Sequence, residues 1–491
     1  MKIALVIPQN GGELGKSFYD IGFVTRFIFS KKYFSYLLAI PTLESLTPKK
    51  HEIRIFDENI EEIDYTWGAD IVGISVRTMF ALRAYTISEN FRKKGAKTVL
   101  GGIHPSVCPE EALKYADSVV IGEAEMVWPT LLSDAEGGTL KKRYQADTKA
   151  DLSTSPQVSR GGISQQEYFA DIVQTTKGCP FTCEFCSVYY FDGQTIRNKP
   201  VEKVVAEIRE ISEKKQGMKK SSIFFADDNI ISNKKYAREL FTALIPYRLN
   251  WSCQASINIS KEEELLTLMK RAGCGSILIG LESVSQRNLE QMDKGINLKH
   301  DYKNAIETIQ SHGMLVHASF ILGNDFDGPS CFDELVAFIE GCNLLMPLIN
   351  ILTPFPGTKL FSRLEKEGRI LHKNWDRYDA KNVVFSPAGM TADQLLAGYR
   401  KVFRAVYSFD SIYRKLTKYW EIDFWKHSNE IDPVKFRYRF LFALRLLTYL
   451  GLKNRERNRF IIKVFPKIFN PKVRLSTVLT LMSYNDFAYS V

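Results

Sequence analysis

Apolar residues in the first 135 positions fall into short runs that predict strands at 3–7, 52–56, 70–75, 97–100 and 118–121. Most of these runs are rich in Ile and Val, and those at 52–56, 97–100 and 118–121 are followed directly by Asp or Gly. Helical periodicity lies between them, as at 81–94, which ends in a basic turn before Gly95. Strands alternating with helices predict a parallel, doubly wound sheet, and ligands of such sheets sit beyond the carboxyl ends of the strands. Those ends read Ile74-Ser75, Gly101-Gly102-Ile103-His104-Pro105 and Gly122-Glu123. Residues 20–48 are an aromatic-rich insertion. Residues 136–170 are polar with little periodicity and read as a linker.

A second strand–helix rhythm runs over 171–370. Strands are expected at 171–176, 222–226, 249–254, 276–280, 315–322 and 348–352, and helices at 201–215, 234–245, 261–272, 302–312, 331–340 and 359–367. Six such units predict an open, partial barrel rather than the eight-fold form, with its chemistry at the carboxyl ends of the strands. Residues 371–491 lose the rhythm and read as a helical segment rich in Phe, Tyr, Trp, Lys and Arg.

Composition narrows the picture. A chain of 491 residues, 45% hydrophobic and 25% charged, is too long for one ordinary domain and too apolar for a disordered one. The apolar run at 3–7 is too short for a signal-peptide core, and no stretch of about 18 clean apolar residues occurs. A cytoplasmic chain is therefore expected. The net charge of +10 is concentrated: residues 401–491 hold 18 Lys/Arg against 7 Asp/Glu, so the rest of the chain is close to neutral. Of eight cysteines, Cys108, Cys253, Cys274, Cys331 and Cys342 are scattered and read as inert packing thiols.

The other three are clustered. Thr176-Lys177-Gly178-Cys179-Pro180-Phe181-Thr182-Cys183-Glu184-Phe185-Cys186 follows the first expected barrel strand. Three thiolates this close on one loop suit an iron–sulfur cluster, and the lack of a local fourth leaves one iron free for a substrate or cofactor. A structural zinc site would want a further nearby Cys or His to complete four-coordination, and His104 and His300 are distant in sequence.

This Cys-x3-Cys-x-Phe-Cys loop after a first barrel strand resembles the radical S-adenosylmethionine superfamily. The resemblance implies a [4Fe–4S] cluster held by Cys179, Cys183 and Cys186, with S-adenosylmethionine chelating the unique iron and Phe185 near the adenine. Many members carry Gly-Gly-Glu at the end of strand two to bind the cofactor's amino group. Here Asp227, Asp228 and Asn229 stand in that place and are the expected substitutes, a helix N-cap being the plainer alternative. Glu282 and Ser283, ending strand four, resemble residues of the ribose and methionine pocket. Gln254 and Ser256 end strand three, and Pro354-Phe355-Pro356-Gly357-Thr358 resembles an adenine-side loop.

A doubly wound domain ahead of such a barrel resembles the cobalamin-binding branch of this superfamily, and Thr353–Leu371 with Asn374-Trp375-Asp376-Arg377-Tyr378-Asp379 resembles its subgroup of hopanoid and bacteriochlorophyll methylases. The implied architecture is a cobalamin-binding-like parallel sheet over 1–135, a linker over 136–170, a radical-type partial (β/α)6 barrel over 171–370 and a helical segment over 371–491. Ser75, Thr78, Gly101, Gly102, His104, Gly122 and Glu123 are the expected cobalamin contacts, glycines allowing close approach to a large flat ligand. The Asp-x-His-x-x-Gly motif of many cobalamin domains is absent: the corresponding stretch reads Asp57-Glu58-Asn59-Ile60-Glu61-Glu62. Cobalt without a protein lower ligand, or a domain that has lost cobalamin, would each account for that.

The expected activity is radical methylation of an unactivated carbon on a hydrophobic small molecule such as a lipid, tetrapyrrole or natural product, with a flavodoxin or ferredoxin as reductant. The alternatives are an oxidative cyclase or ring-rearranging enzyme with the same cofactors, a non-catalytic carrier, and an RNA-modifying enzyme, for which no recognisable RNA module is present. The basic, aromatic stretch 435–472 suits a helical cap with a solvated face, or peripheral contact with anionic lipid on the inner face of the membrane.

Overall fold

In the computed structural model, the described residues are 1–9, 33–213, 222–298, 300–421, 439–440, 443–444, 455–470 and 475–490. Among them, six parallel strands form the first sheet: β1 (Lys2–Ile7), β2 (Glu52–Asp57), β3 (Ile71–Ser75), β4 (Lys97–Gly101), β5 (Ser118–Ile121) and β6 (Arg143–Gln145), in the order β2-β1-β3-β4-β5-β6. Alternation along β1 feeds both faces. Ala4 and Val6 pack with Phe56, Val72 and Phe91 on one side, and Ile3, Leu5 and Ile7 pack with Val99, Trp128 and Leu131 on the other. A strand buried on both faces has no polar side to show, which is why these runs are nearly continuous in Ile, Leu and Val. Gly73 is a packing requirement: a Cβ there would lie 3.2 Å from both Leu5 and the Trp128 ring. The helix Ala81–Lys93 stops where Gly95 takes φ +92°.

The second sheet is also parallel. It comprises β7 (Ala170–Val173), β10 (Ser222–Phe225), β11 (Asn250–Gln254), β12 (Cys274–Glu282), β13 (Leu315–Leu322) and β14 (Leu348–Ile351), each paired with the next in sequence. No pairing joins β7 to β14 among the described residues, so the barrel is open. Amphipathic helices cover its outside, several with side-chain N-caps: Asn233 for Lys234–Leu244, Asp301 for Tyr302–Ser311 and Thr358 for Lys359–Lys366. Trp251 is wedged between Phe225 and Phe241 beneath them. Between β7 and β10, an antiparallel pair, β8 (Thr176–Lys177) and β9 (Arg197–Asn198), encloses the cysteine loop.

Three features differ from the sequence pattern. The stretch read as a linker supplies β6, a short edge strand with only Tyr144 buried. The first barrel strand ends at Val173 rather than 176, because Thr175 and Thr176 turn to bond Asp227. From the last barrel helix onward the chain returns to the first sheet: Phe361, Trp375, Tyr378 and Val384 pack in its core with Phe91 and Leu100. The helices Ala392–Val406, Phe409–Glu421, Arg455–Ile468 and Leu475–Ser490 follow, and Gly398 lets the first of them lie on the Phe332 ring. Of the basic stretch around Arg437-Tyr438, only Arg439 and Phe440 belong to the described residues, and much of the insertion at 20–48 lies outside them. No described helix is long and apolar enough to cross a membrane.

Candidate active site

The cysteine loop is pinned on every side. Gly178 (φ +94°) opens it at a point where a Cβ would lie 2.4 Å from the Thr195 carbonyl, so only glycine fits against the β8–β9 hairpin. Cys179 N–H donates to Gly193 O at 3.1 Å and Cys186 N–H to Cys183 O at 3.0 Å. Glu184 N–H donates to Met292 O, Leu360 N–H donates to Glu184 O at 2.9 Å, and the Arg363 guanidinium grips the Glu184 carboxylate.

The loop forms one wall of a cavity of about 340 Å³. Cys179, Cys183 and Cys186 all line it, together with Phe181, Phe185, Asp228, Asn229, Gln254, Ser256, Glu282 and Lys294. Burial raises all three thiols, Cys186 to about 12. Such thiols stay neutral unless a metal takes the place of their protons. No histidine or fourth cysteine joins them at the cavity among the described residues, so the donor set fits a cluster with one iron left open.

The opposite walls are polar. Asp228 is raised to about 7 by burial and by the neighbouring Asp192 and Asp227 carboxylates, with Lys177 opposing. Its Oδ2 is buried with no hydrogen-bond partner among the described residues. A buried acceptor left open toward a cavity suits an amino-group ligand. Asn229 accepts from Ser256 N–H at 3.0 Å and so sets the strand-three end. Glu282 adopts φ +65° and folds back over Gly280, where a Cβ would meet its Oε1 at 2.1 Å, and it pairs with Lys294 at 3.1 Å. Burial would lower the Lys294 ammonium, but Glu282 and the nearby thiols hold it above its ordinary value. It lies 5.8 Å from the Phe185 ring centroid.

Two of the barrel residues expected in this pocket lie elsewhere. Asp227 is fully buried behind it: its carboxylate accepts from the backbone and hydroxyls of Thr175 and Thr176. Ser283 accepts from Ser285 N–H at 3.1 Å and from Asn288, beside the helix Gln286–Gln291. Sequence reasoning missed Lys294. The signal was a lone cation in a turn, between Asp293 (φ +56°) and Gly295, one short helix after strand four.

The cobalamin-side residues gather at the carboxyl edge of the first sheet. Ser75 ends β3 and Gly101 ends β4, while Thr78 is buried just beyond β3. Gly102 (φ +100°) sits so close to Val76 that a Cβ would lie 2.9 Å from its carbonyl. Gly122 (φ +80°) donates its N–H to Ser106 Oγ at 2.9 Å and has open space where a Cβ would be. This Cβ-free edge fits a large flat ligand.

Two expected contacts face elsewhere. His104 is wholly buried, with Nε2 3.0 Å from the Tyr85 hydroxyl and its ring 5.3 Å from that of Trp375. Glu123 turns to the barrel: it accepts from both Arg197 Nη atoms at 2.7 and 2.9 Å and from Ala150 N–H. Burial would raise its carboxyl, but these bonds and the Lys177 charge hold it below its ordinary value. In place of a lower-ligand histidine stands Asn59, whose amide folds back on Asp57.

Known proteins match in the same places. The B12 binding domain matches residues 47–132, the radical SAM superfamily 173–339, and a domain of unknown function (DUF4070) 358–488. The bacteriochlorophyllide d C-8(2)-methyltransferase of Chlorobaculum tepidum is 33% identical over 71% of this chain and 80% of its own. The C-12(1)-methyltransferase of the same organism is 31% identical over 77% and 84%. The hopanoid C-2 methylase of Rhodopseudomonas palustris is 28% identical over 75% and 70%. Among solved structures, the cobalamin-dependent S-adenosylmethionine radical enzyme OxsB shares the fold with a TM-score of 0.63 at 15% identity, over 99% of this chain and 80% of that one. The cofactors are accordingly a [4Fe–4S] cluster, S-adenosylmethionine and cobalamin. The chain belongs to the cobalamin-binding radical S-adenosylmethionine family that includes the bacteriochlorophyllide d methyltransferases.

Proposed function

We propose that the protein transfers a methyl group to an unactivated carbon of a hydrophobic small molecule, of the kind that its tetrapyrrole- and hopanoid-methylating relatives are named for. The observation that carries this reading is the apposition of two carboxyl-terminal strand edges. Glu123, after β5, reaches Lys177 ahead of the cysteine loop, and Gly357, after β14, abuts Val107 beyond β4. Ligands of both domains therefore face one space. When bound, the cluster with S-adenosylmethionine supplies a hydrogen-abstracting carbon radical, and cobalamin supplies a transferable methyl group.

The chain's own residues position and shield. Cys179, Cys183 and Cys186 hold iron. Asp228 accepts from the amino group of S-adenosylmethionine, Lys294 donates to its carboxylate, and Gln254, Ser256 and Asn229 provide further polar contacts. Phe185 walls the adenine side. Phe181, Val188, Ile296, Ile321 and Phe355 line the cavity and exclude water from a reactive radical. Ser75, Gly101, Gly102 and Gly122 form the cobalamin edge, with Thr78 beside them.

A small-protein reductant of the flavodoxin or ferredoxin kind would supply electrons. The helix Arg455–Ile468 presents Arg455, Arg459, Lys463 and Lys467 on an exposed face, with Ile462 64% exposed among them. That face supports a peripheral contact with anionic lipid, from which a hydrophobic substrate could be drawn. The deciding experiment feeds methyl-labelled S-adenosylmethionine to the reconstituted, reduced enzyme with candidate substrates. Label on a carbon of the product is expected; a cyclised product without label would reject methylation.

A further inference from the structure

The loop that ends β5 forms part of the cobalamin edge through Gly122, yet its two carboxylates leave that domain altogether. Glu123, with a side chain only 2% exposed, binds Arg197 through both oxygens, accepts from Ala150 N–H at 2.7 Å and lies 3.5 Å from Lys177 Nζ. Glu125 pairs with the same Lys177 ammonium. Lys177 and Arg197 face each other across the β8–β9 hairpin, one residue from each strand. Lys177 immediately precedes Gly178-Cys179. Arg197 also donates to Asp192 O at 2.9 Å, next to Gly193, whose carbonyl accepts from Cys179 N–H. The first domain thus holds the base of the cysteine loop by both strands, through charges largely withdrawn from water.

We propose that Glu123 is a positioning residue that couples the two cofactor sites: occupancy of the cobalamin edge stabilises the cysteine loop, and the assembled cluster in turn tightens cobalamin binding. The proposal rests on cobalamin lying against Gly122. A ligand seated there fixes the Gly122-Glu123 backbone, and the Glu123 carboxylate passes that constraint to Arg197 and Lys177 without an intervening mobile element. Buried ion pairs of this kind resist partial separation, since each member left alone is an uncompensated charge. Linkage makes the effect reciprocal, and couplings between sites commonly amount to roughly fivefold or more.

The test measures iron release to a ferrous chelator from anaerobically reconstituted full-length protein, with and without saturating hydroxocobalamin, beside optical titrations of cobalamin binding to cluster-containing and cluster-free protein. In the wild type, cobalamin should slow iron release roughly fivefold or more, and the cluster should also tighten cobalamin binding. Glu123→Gln keeps the side-chain shape but removes its charge, and should bring both ratios close to one while cobalamin still binds. Glu125→Gln, at the other end of Lys177, serves if the first variant fails to fold and should lower both ratios. A merely structural salt bridge would speed iron release equally in both states and leave the ratio unchanged. Equal ratios in wild type and variants, or a ratio of one in wild type, overturn the coupling. A wild-type protein that takes up no cobalamin overturns the reading on which it rests.

Discussion

Asp228 allows a quantitative test of how the cavity is built. Its carboxyl is buried beside Asp192 and Asp227, one oxygen lacks a partner among the described residues, and its pKa is raised from 3.8 to about 7. The fold therefore favours the protonated form. Below pH 4 the group is protonated whether the chain is folded or not. As pH rises, the unfolded chain ionises first and the folded one retains its proton, so stability falls by at most about 1.4 kcal/mol per pH unit until both are ionised above pH 7. Between pH 5 and pH 8 this one group costs up to about 3 kcal/mol. Asp228→Asn removes the titration and leaves an amide whose own unmet hydrogen bonds cost a similar amount at every pH. The measured quantity is thus a difference of differences: urea unfolding of parent and variant apo-proteins under reductant at pH 5 and pH 8. It is followed by tryptophan fluorescence, to which the buried Trp251 contributes, and by circular dichroism. The variant should gain roughly 3 kcal/mol on the parent between the two pH values. Parallel stability curves would refute the claim that this carboxyl is desolvated at the cavity wall.

Five further substitutions probe the same region. Replacing Cys179, Cys183 or Cys186 singly by alanine should abolish iron retention and the visible cluster absorption with an unchanged far-ultraviolet spectrum; full iron content in any one variant would remove that residue from the ligand set. Asp227→Asn should destabilise the protein by roughly 2–4 kcal/mol in urea unfolding, because its carboxylate accepts several buried hydrogen bonds from Thr175 and Thr176 and an amide cannot accept them all. Lys294→Met should weaken S-adenosylmethionine binding by roughly tenfold to a hundredfold in equilibrium dialysis, the worth of one charge-assisted hydrogen bond, while the cluster is retained.

The fold was legible where a strand is buried on both faces, as in β1 and β3–β5, because burial leaves a continuous apolar run even in strands of four or five residues. It was illegible at β6, where a three-residue edge strand buries only Tyr144 and looks like polar linker. The return of Trp375 and Tyr378 to the first sheet is a long-range contact that no local pattern carries. At the site, the cysteines could be read directly because their spacing is itself the chemistry. The acidic pair could have been divided by strand alternation: Phe225 is fully buried toward the helices and Asp227 shares its parity, whereas Asp228 shares that of Phe224 and faces the cavity. Glu123 and His104 point away from the sheet edge for a reason the sequence does not carry. They stand at strand ends, where ligands bind, but their side chains reach partners far away in sequence, Arg197 and Tyr85 with Trp375.

The charge balance of the cavity bears on which ligand it selects. Asp228 and Glu282 contribute acidic groups, three thiolates add charge once iron is bound, and Lys294 is the only basic side chain lining the cavity among the described residues. A polyanionic nucleotide would meet repulsion on most sides and a single cation on one. A ligand carrying a sulfonium, an amino group and one carboxylate matches instead: one anionic group for Lys294, and donors or positive charge toward the carboxylates. The remaining wall is shared, because Phe355 lines the cavity while also packing against the core of the first sheet. Phe355 therefore both bounds the cavity and joins it to the first sheet through a single ring.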